Sequence, residues 1–246
     1  MADSDDEPIT LSSHALAALQ EFYGERDARA DKFEKLKAAT EDQHDAAAAA
    51  AQPLSMDAFT EDWNASQFWY SDETATLLAK QLLDGVREDE VIAVVSTPSV
   101  FVALKNLLNA ADANTPKPKK VLLLEHDQRF SVFPEFVFYD FQQPFKLPAE
   151  LKGAVDRIIY DPPFLSEDCQ TKIALTVRWM SRPGPRLRLV VCTGERMEPL
   201  ITKLYRALGA RATTYELVHA RGLSNEFYCY ANFECDAWKY RGGERG

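Results

Sequence analysis

The chain begins with apolar positions at helical spacing. In "TLSSHALAALQEFYGERDARADKFEKLKA", Leu16, Leu19, Phe22, Tyr23, Phe33 and Leu36 fall on a helical repeat, and Ser12 or Ser13 can cap the start, so one or two amphipathic helices are expected. "EDQHDAAAAAAQP" follows, a run of six alanines that buries almost nothing and reads as a weak helix or a linker. A boundary is therefore expected near residue 55, dividing an acidic helical extension (1–55) from the main domain (56–246). From Thr74 the pattern becomes regular. Leucines at helical spacing run to Gly85, and Val91 to Ser96 is a continuous apolar run of the kind found in strands covered on both faces. Residues 99–110 read as a helix, 120–127 as a second buried strand, 136–141 as a short third, and Ile158, Ile159 and Tyr160 as the end of a fourth. A helix (169–180), a fifth strand (186–194), a helix closed by Gly209 and two more strands (213–220 and 226–234) complete the pattern.

Strands that alternate with helices predict an α/β fold with a mostly parallel, doubly wound sheet. The last two strands are joined by the five residues "RGLSN", too few for a parallel crossover, so they must be antiparallel neighbours. A seven-stranded Rossmann-like sheet whose last strand runs against the other six resembles that of class I S-adenosylmethionine-dependent methyltransferases.

Composition narrows the picture. With 246 residues, 46% of them hydrophobic, the chain can bury a sizeable core. No run approaches the roughly 18–20 apolar residues of a membrane span, and "MADSDDEPIT" is acidic and polar, so a cytoplasmic protein without membrane partners is expected. Cys169, Cys192, Cys229 and Cys235 show no metal-ligand spacing with one another or with the four histidines, which predicts free thiols and no metal site. The net charge of −10 is concentrated at the start: residues 1–60 carry 13 acidic and 5 basic side chains, the rest 25 and 23. The main domain is thus nearly neutral and lacks the basic balance of a nucleic-acid binder. The acidic start reads as a solubilising tail over residues 1–8, with attraction to a basic partner as the other reading.

In open α/β sheets, ligands gather at the carboxyl ends of the strands. The second strand ends in "LLLEHD" and the third in "VFYDF", which places Glu125 and Asp140 where a carboxylate could accept ribose hydroxyls or an adenine amino hydrogen. The fourth ends in "IIYDPPF". An Asp-Pro-Pro corner fixes φ, removes two N–H donors and leaves carbonyls without competing donors, so it presents acceptors. The Asp161 carboxylate and the Pro162 carbonyl could together hold the hydrogens of an amine. The ring of Phe164 could meet the positive charge that develops on its nitrogen, a cation–π contact of about 0.5–2 kcal/mol.

"DPPF" is similar to the (Asn/Asp)-Pro-Pro-(Phe/Tyr) motif of methyltransferases that act on exocyclic or side-chain amines. "QFWYSDETA", "LLEHDQRF", "DPPFLSEDC" and "NEFYCYANFE", in this order, resemble the eukaryotic family once named N6-adenine-specific DNA methyltransferase 2 and now understood as a protein-lysine methyltransferase of translation elongation factor 1-alpha. The likeness spans about residues 10–240. It implies S-adenosyl-L-methionine as cofactor, held by Ser96, Thr97, Pro98 and Ser99 around its methionine part, Glu125 at the ribose, Asp140 and Phe141 at the adenine, and Asp161. It further implies Asp161, Pro162 and Phe164 as catalytic residues in a motif completed by Pro163, and Phe68, Trp69, Tyr70, Phe164 and Asn225 toward the substrate. Gln67 to Tyr70 would close over cofactor and target, although Phe-Trp-Tyr can equally be a core staple. One departure is the absence of a G-x-G-x-G after the first strand; His126 and Gln128 are assigned no role.

The expected chemistry is in-line methyl transfer to a lysine ε-amine of elongation factor 1-alpha by a monomer that binds no nucleic acid. Desolvation by Phe164, Trp69 and Tyr160 would lower the pKa of the lysine, and the Asp161 carboxylate would raise it. Asp161 is read as orienting the amine, which loses its proton to solvent before closure. Two rivals stand beside this reading: N6-adenine methylation of a flipped base, and a non-catalytic scaffold that kept the fold.

Overall fold

The computed structural model describes residues 13–42, 53–61, 67–222 and 226–242. Seven strands form a single sheet: β1 (Val91–Val95), β2 (Lys120–Glu125), β3 (Phe136–Phe138), β4 (Arg157–Tyr160), β5 (Arg188–Gly194), β6 (Arg211–Glu216) and β7 (Phe227–Ala231). Their spatial order is β3-β2-β1-β4-β5-β7-β6. The pairs among β1 to β5 are parallel, and β7 runs antiparallel to both β5 and β6. The expected sheet, with its reversed last strand, is the observed one.

Strand alternation sends successive side chains to opposite faces. Ile92 and Val94 pack with Leu78, Leu82 and Phe101 of α2 (Asp72–Leu83) and α3 (Pro98–Ala110), whereas Val91, Ala93 and Val95 pack with Ile173, Val177 and Ile201 of α4 (Glu167–Met180) and α5 (Glu198–Leu204). The helices α2 and α4 each start two residues earlier than periodicity predicts, because a serine caps each. Ser71 Oγ accepts from the Thr74 N–H at 3.2 Å, and Ser166 Oγ accepts from the Cys169 N–H at 3.3 Å. The last predicted helix instead stops at Leu204, and a 3₁₀ turn then leads to Gly209, whose φ of 71° supplies the left-handed turn that ends it.

Strand ends also shift. The second strand stops at Glu125 instead of Asp127, because its own carboxylate accepts the next two backbone N–H groups. The third stops at Phe138 instead of Phe141. The sixth stops at Glu216 instead of Ala220, because Val218 to Ala220 leave the hairpin to pair with Trp69 to Ser71.

The N-terminal segment forms one 30-residue helix, α1 (Ser13–Asp42). Its apolar stripe is not buried along its length: Leu16, Phe22 and Tyr23 are exposed, and the helix reaches the body through Phe33, perpendicular to Phe59 with ring centroids 5.9 Å apart. Ser12 and the alanine run after α1 lie outside the described residues. No helix among those described is long and apolar enough to cross a membrane.

Candidate functional site

Strand order reverses between β1 and β4, and their register places Val95 opposite Tyr160. Ser96 and Asp161 therefore leave the sheet side by side; the Asp161 N–H donates to Val95 O at 3.2 Å, and the Ser96 N–H donates to Leu124 O at 2.9 Å. Ser96 holds a φ of 53°, the only left-handed non-glycine backbone among the described residues. Strain of this kind collects where a backbone is forced close to a ligand. Here the strained residue directly follows β1.

A cavity of about 590 Å³ opens at this edge, within the roughly 300–1,000 Å³ usual for small-molecule sites. Its wall brings together Gln67, Phe68, Trp69, Ser96, Pro98, Glu125, Asp140, Phe141, Asp161, Pro162, Pro163 and Phe164, residues the sequence spreads over almost 100 positions. Thr97 and Ser99 are buried behind the wall; the Ser99 hydroxyl accepts the Tyr70 N–H at 3.4 Å, and Thr97 precedes the first turn of α3. Asn225 lies outside the described residues. Tyr160 does not face the cavity. It sits one residue before Asp161 and so points to the opposite face, where its ring lies 6.1 Å from that of Tyr205. The expectation that Tyr160 desolvates an incoming amine is therefore corrected.

Each carboxylate has its own environment. Glu125 is buried, and its Oε1 accepts the N–H groups of His126 (2.8 Å) and Asp127 (3.1 Å); no described residue bonds Oε2. Burial pushes the carboxyl up to about 7 against those two donors. Burial also acts to raise Asp140, but the Gln142 N–H at 2.9 Å and the Gln143 amide at 3.0 Å outweigh it and leave this group below its ordinary value. Asp161 Oδ2 accepts the Tyr70 hydroxyl at 2.5 Å, and burial pushes this carboxyl up to about 7. The Phe164 ring stands at the rim, 44% exposed and 5.8 Å from Phe141 in an edge-on arrangement.

The Gln67 to Tyr70 cluster combines wall and core. The Trp69 indole N–H donates to Phe59 O at 3.1 Å, and its ring meets Phe130 edge-on. Gln67 spans Asp127 and Arg129, donating to the first and accepting from the second, each at 3.1 Å. His126, Tyr139, Gln142, Leu165, Arg196, His219 and Phe227 also line the cavity, with no role foreseen for them. Several had a readable signal. Arg196 follows the end of β5 in "CTGER", His219 follows β6, and Phe227 opens β7, whose reversed direction puts its start on the same edge as the other strands' ends. His219 is held neutral by burial, its pKa down to about 4.

The site thus offers a buried carboxylate with one open oxygen, an aromatic-lined space and an acceptor-rich corner, a set that fits a nucleoside cofactor beside an amine. The family model described as "Probable N6-adenine methyltransferase" matches residues 61–235. The protein-lysine N-methyltransferase EFM5 of Saccharomyces cerevisiae is 42% identical over 243 residues, which cover 94% of each chain. The EEF1A lysine methyltransferase 1 of Gallus gallus is 39% identical over 95% of this chain and 98% of the relative. Its Homo sapiens counterpart is 36% identical over 94% of each.

Proposed function

The chain belongs to the family described as probable N6-adenine methyltransferase, and from that premise we propose that it is an S-adenosylmethionine-dependent protein-lysine N-methyltransferase acting on translation elongation factor 1-alpha. The observation that carries this reading is the convergence of Glu125, at the end of β2, and the Asp161-Pro162-Pro163-Phe164 corner, at the end of β4, on one cavity. The family's description names adenine, whereas the relatives' names give lysine; the near-neutral charge balance of residues 61–246 favours a protein substrate.

When bound, S-adenosylmethionine supplies an electrophilic methyl group on a sulfonium sulfur. Glu125 would accept the ribose hydroxyls through Oε2, with Asp140 and Phe141 at the base and Ser96 with Pro98 beside the methionine part. Asp161 and the Pro162 carbonyl accept the two hydrogens of the neutral amine, so that its lone pair faces away from the corner. Phe164 stabilises the positive charge that grows on the nitrogen. The aromatic wall of Phe68, Trp69 and Phe141 excludes water, which strengthens each of these contacts. The helical extension (1–55) and the methyltransferase domain (56–246), a monomeric state and a cytoplasmic location belong to the same reading.

The test is transfer of radiolabelled methyl to purified elongation factor 1-alpha, with DNA and RNA offered in parallel. Label on the protein that disappears in Asp161→Ala, with cofactor affinity retained, is the expected result. Label on nucleic acid would replace the reading with adenine methylation, and label on neither would leave a scaffold.

A further inference from the structure

Tyr70 bonds the acceptor corner without lining the cavity. It sits behind Asp161, 3% exposed, and its phenol is the donor at 2.5 Å on Oδ2. Among the described residues no group bonds Oδ1, which leaves that oxygen for a ligand. The groups that face Asp161 are Tyr70 from the 67–71 segment, Cys169 from α4 and Cys192 from β5. Burial raises both thiols, so they remain neutral, and it raises the Tyr70 phenol too, so that it remains a donor. No cation compensates the carboxylate among these neighbours, and the phenol O–H is the contact that favours its ionised form.

The phenol is held from several sides. The Ala220 N–H donates to Trp69 O and the Ser71 N–H donates to Val218 O, both at 2.8 Å, so residues 69–71 pair with 218–220 on either side of Tyr70. The Tyr70 ring lies 4.8 Å from the imidazole of His219. At its start the segment is tied to the end of β2 through Gln67 and Asp127 at 3.1 Å. One short strap thus runs from the Glu125 side of the cavity to the β6 end and carries a single hydroxyl onto Asp161.

We propose that Tyr70 is a positioning residue for amine methylation: from behind the cavity its hydroxyl fixes Oδ2 of Asp161 and turns Oδ1 toward the incoming nitrogen, and only the docked strap delivers it. The inference rests on the reading of Asp161 as the group that orients the amine. A rigid, singly donated carboxylate presents one acceptor direction, whereas an unfixed one rotates about its terminal torsion and loses the alignment that in-line transfer needs.

Tyr70→Phe keeps the ring against His219 and removes the O–H alone. The expected result is a kcat reduced about 10- to 100-fold, the size of a lost hydrogen bond to a charged group, with S-adenosylmethionine affinity within twofold of wild type by calorimetry. The second readout needs no methyl acceptor: the ¹³C titration of the Asp161 side-chain carboxyl in the isolated protein, which should move to higher pH in Tyr70→Phe. Incorporation of 3,5-difluorotyrosine at position 70, a stronger donor of almost the same size, should move that titration to lower pH in a folded protein. An Asp161 titration that ignores both changes overturns the proposal, as does an unaltered kcat. Failure of the wild-type protein to methylate any protein would overturn the lysine reading instead, and the carboxyl titration would still decide whether Tyr70 governs Asp161.

Discussion

The Arg157 guanidinium pairs with the Glu90 carboxylate at 2.8 Å, with their side chains 5% and 6% exposed, at the edge of the sheet opposite the cavity. The same guanidinium donates to Leu82 O (3.2 Å), Asp84 O (2.6 Å) and Gly85 O (2.8 Å), and so satisfies carbonyls that the end of α2 leaves open. Truncating the cation would leave the buried carboxylate with the partly exposed Arg87 as its cation, at 3.3 Å, and would take the guanidinium away from Leu82 O and Gly85 O. Arg157→Met should lower the unfolding free energy by about 3–5 kcal/mol, measured by urea denaturation. Cofactor affinity should hold where the variant is folded; a loss below about 1 kcal/mol would count against this account.

Glu125 links stability to pH. Its folded pKa, raised by burial to about 7 from 4.5, means that the folded state binds the proton more tightly than the unfolded chain. The resulting stability is fully present below pH 4.5 and is lost as pH rises through 7. At pH 8 the buried charge costs on the order of 3 kcal/mol, because each tenfold difference in proton affinity between the two states is worth about 1.4 kcal/mol. Glu125→Gln, which can still accept the two N–H groups, should therefore raise Tm at pH 8 by several degrees and change it little at pH 4. The same variant should bind S-adenosylmethionine more weakly. Equal Tm changes at the two pH values would refute the charge argument.

Asp161 should impose a limb on the pH profile. Burial raises its carboxyl to about 7, and only the ionised form presents a charged acceptor at Oδ1 to an amine and stabilises a developing cation. The kcat/KM of the enzyme should rise with pH up to about 7, separately from the higher limb of the lysine amine itself. Asp161→Asn should lose that limb along with most of the activity, which steady-state rates between pH 5.5 and 9 would reveal.

Phe164 allows a test of the cation–π contact without a folding complication, because its ring is half-exposed and meets Phe141 edge-on. Phe164→Leu should lower kcat by roughly 2- to 30-fold, the equivalent of about 0.5–2 kcal/mol, while Tm stays within a degree or two. Phe164→Tyr should retain most of the rate. A KM effect with unchanged kcat would assign the ring to ground-state binding instead.

Much of this protein was legible along the chain, because burial imprints its period on the residues that undergo it. The continuous apolar run 91–95 is a strand covered on both faces, the leucines between Leu77 and Leu83 mark α2, and the last two strands are antiparallel as their short connection required, although it spans residues 217–226 instead of the five residues expected. Glu125 and Asp161 were found by the rule that ligands collect where parallel strands end. Arg196, His219 and Phe227 obeyed the same rule at β5, β6 and the start of the reversed β7. What the chain could not show was which side chains meet across it. Tyr70 reaches Asp161 over 91 positions because the β6 end peels away to pair with residues 69–71. Tyr160, next to Asp161 in sequence, points to the other face of the sheet and is lost to the site. Periodicity is a local record of burial and determined the elements and their order. The direction and partner of a single polar group depend on long-range pairing, and only the tertiary structure decided those.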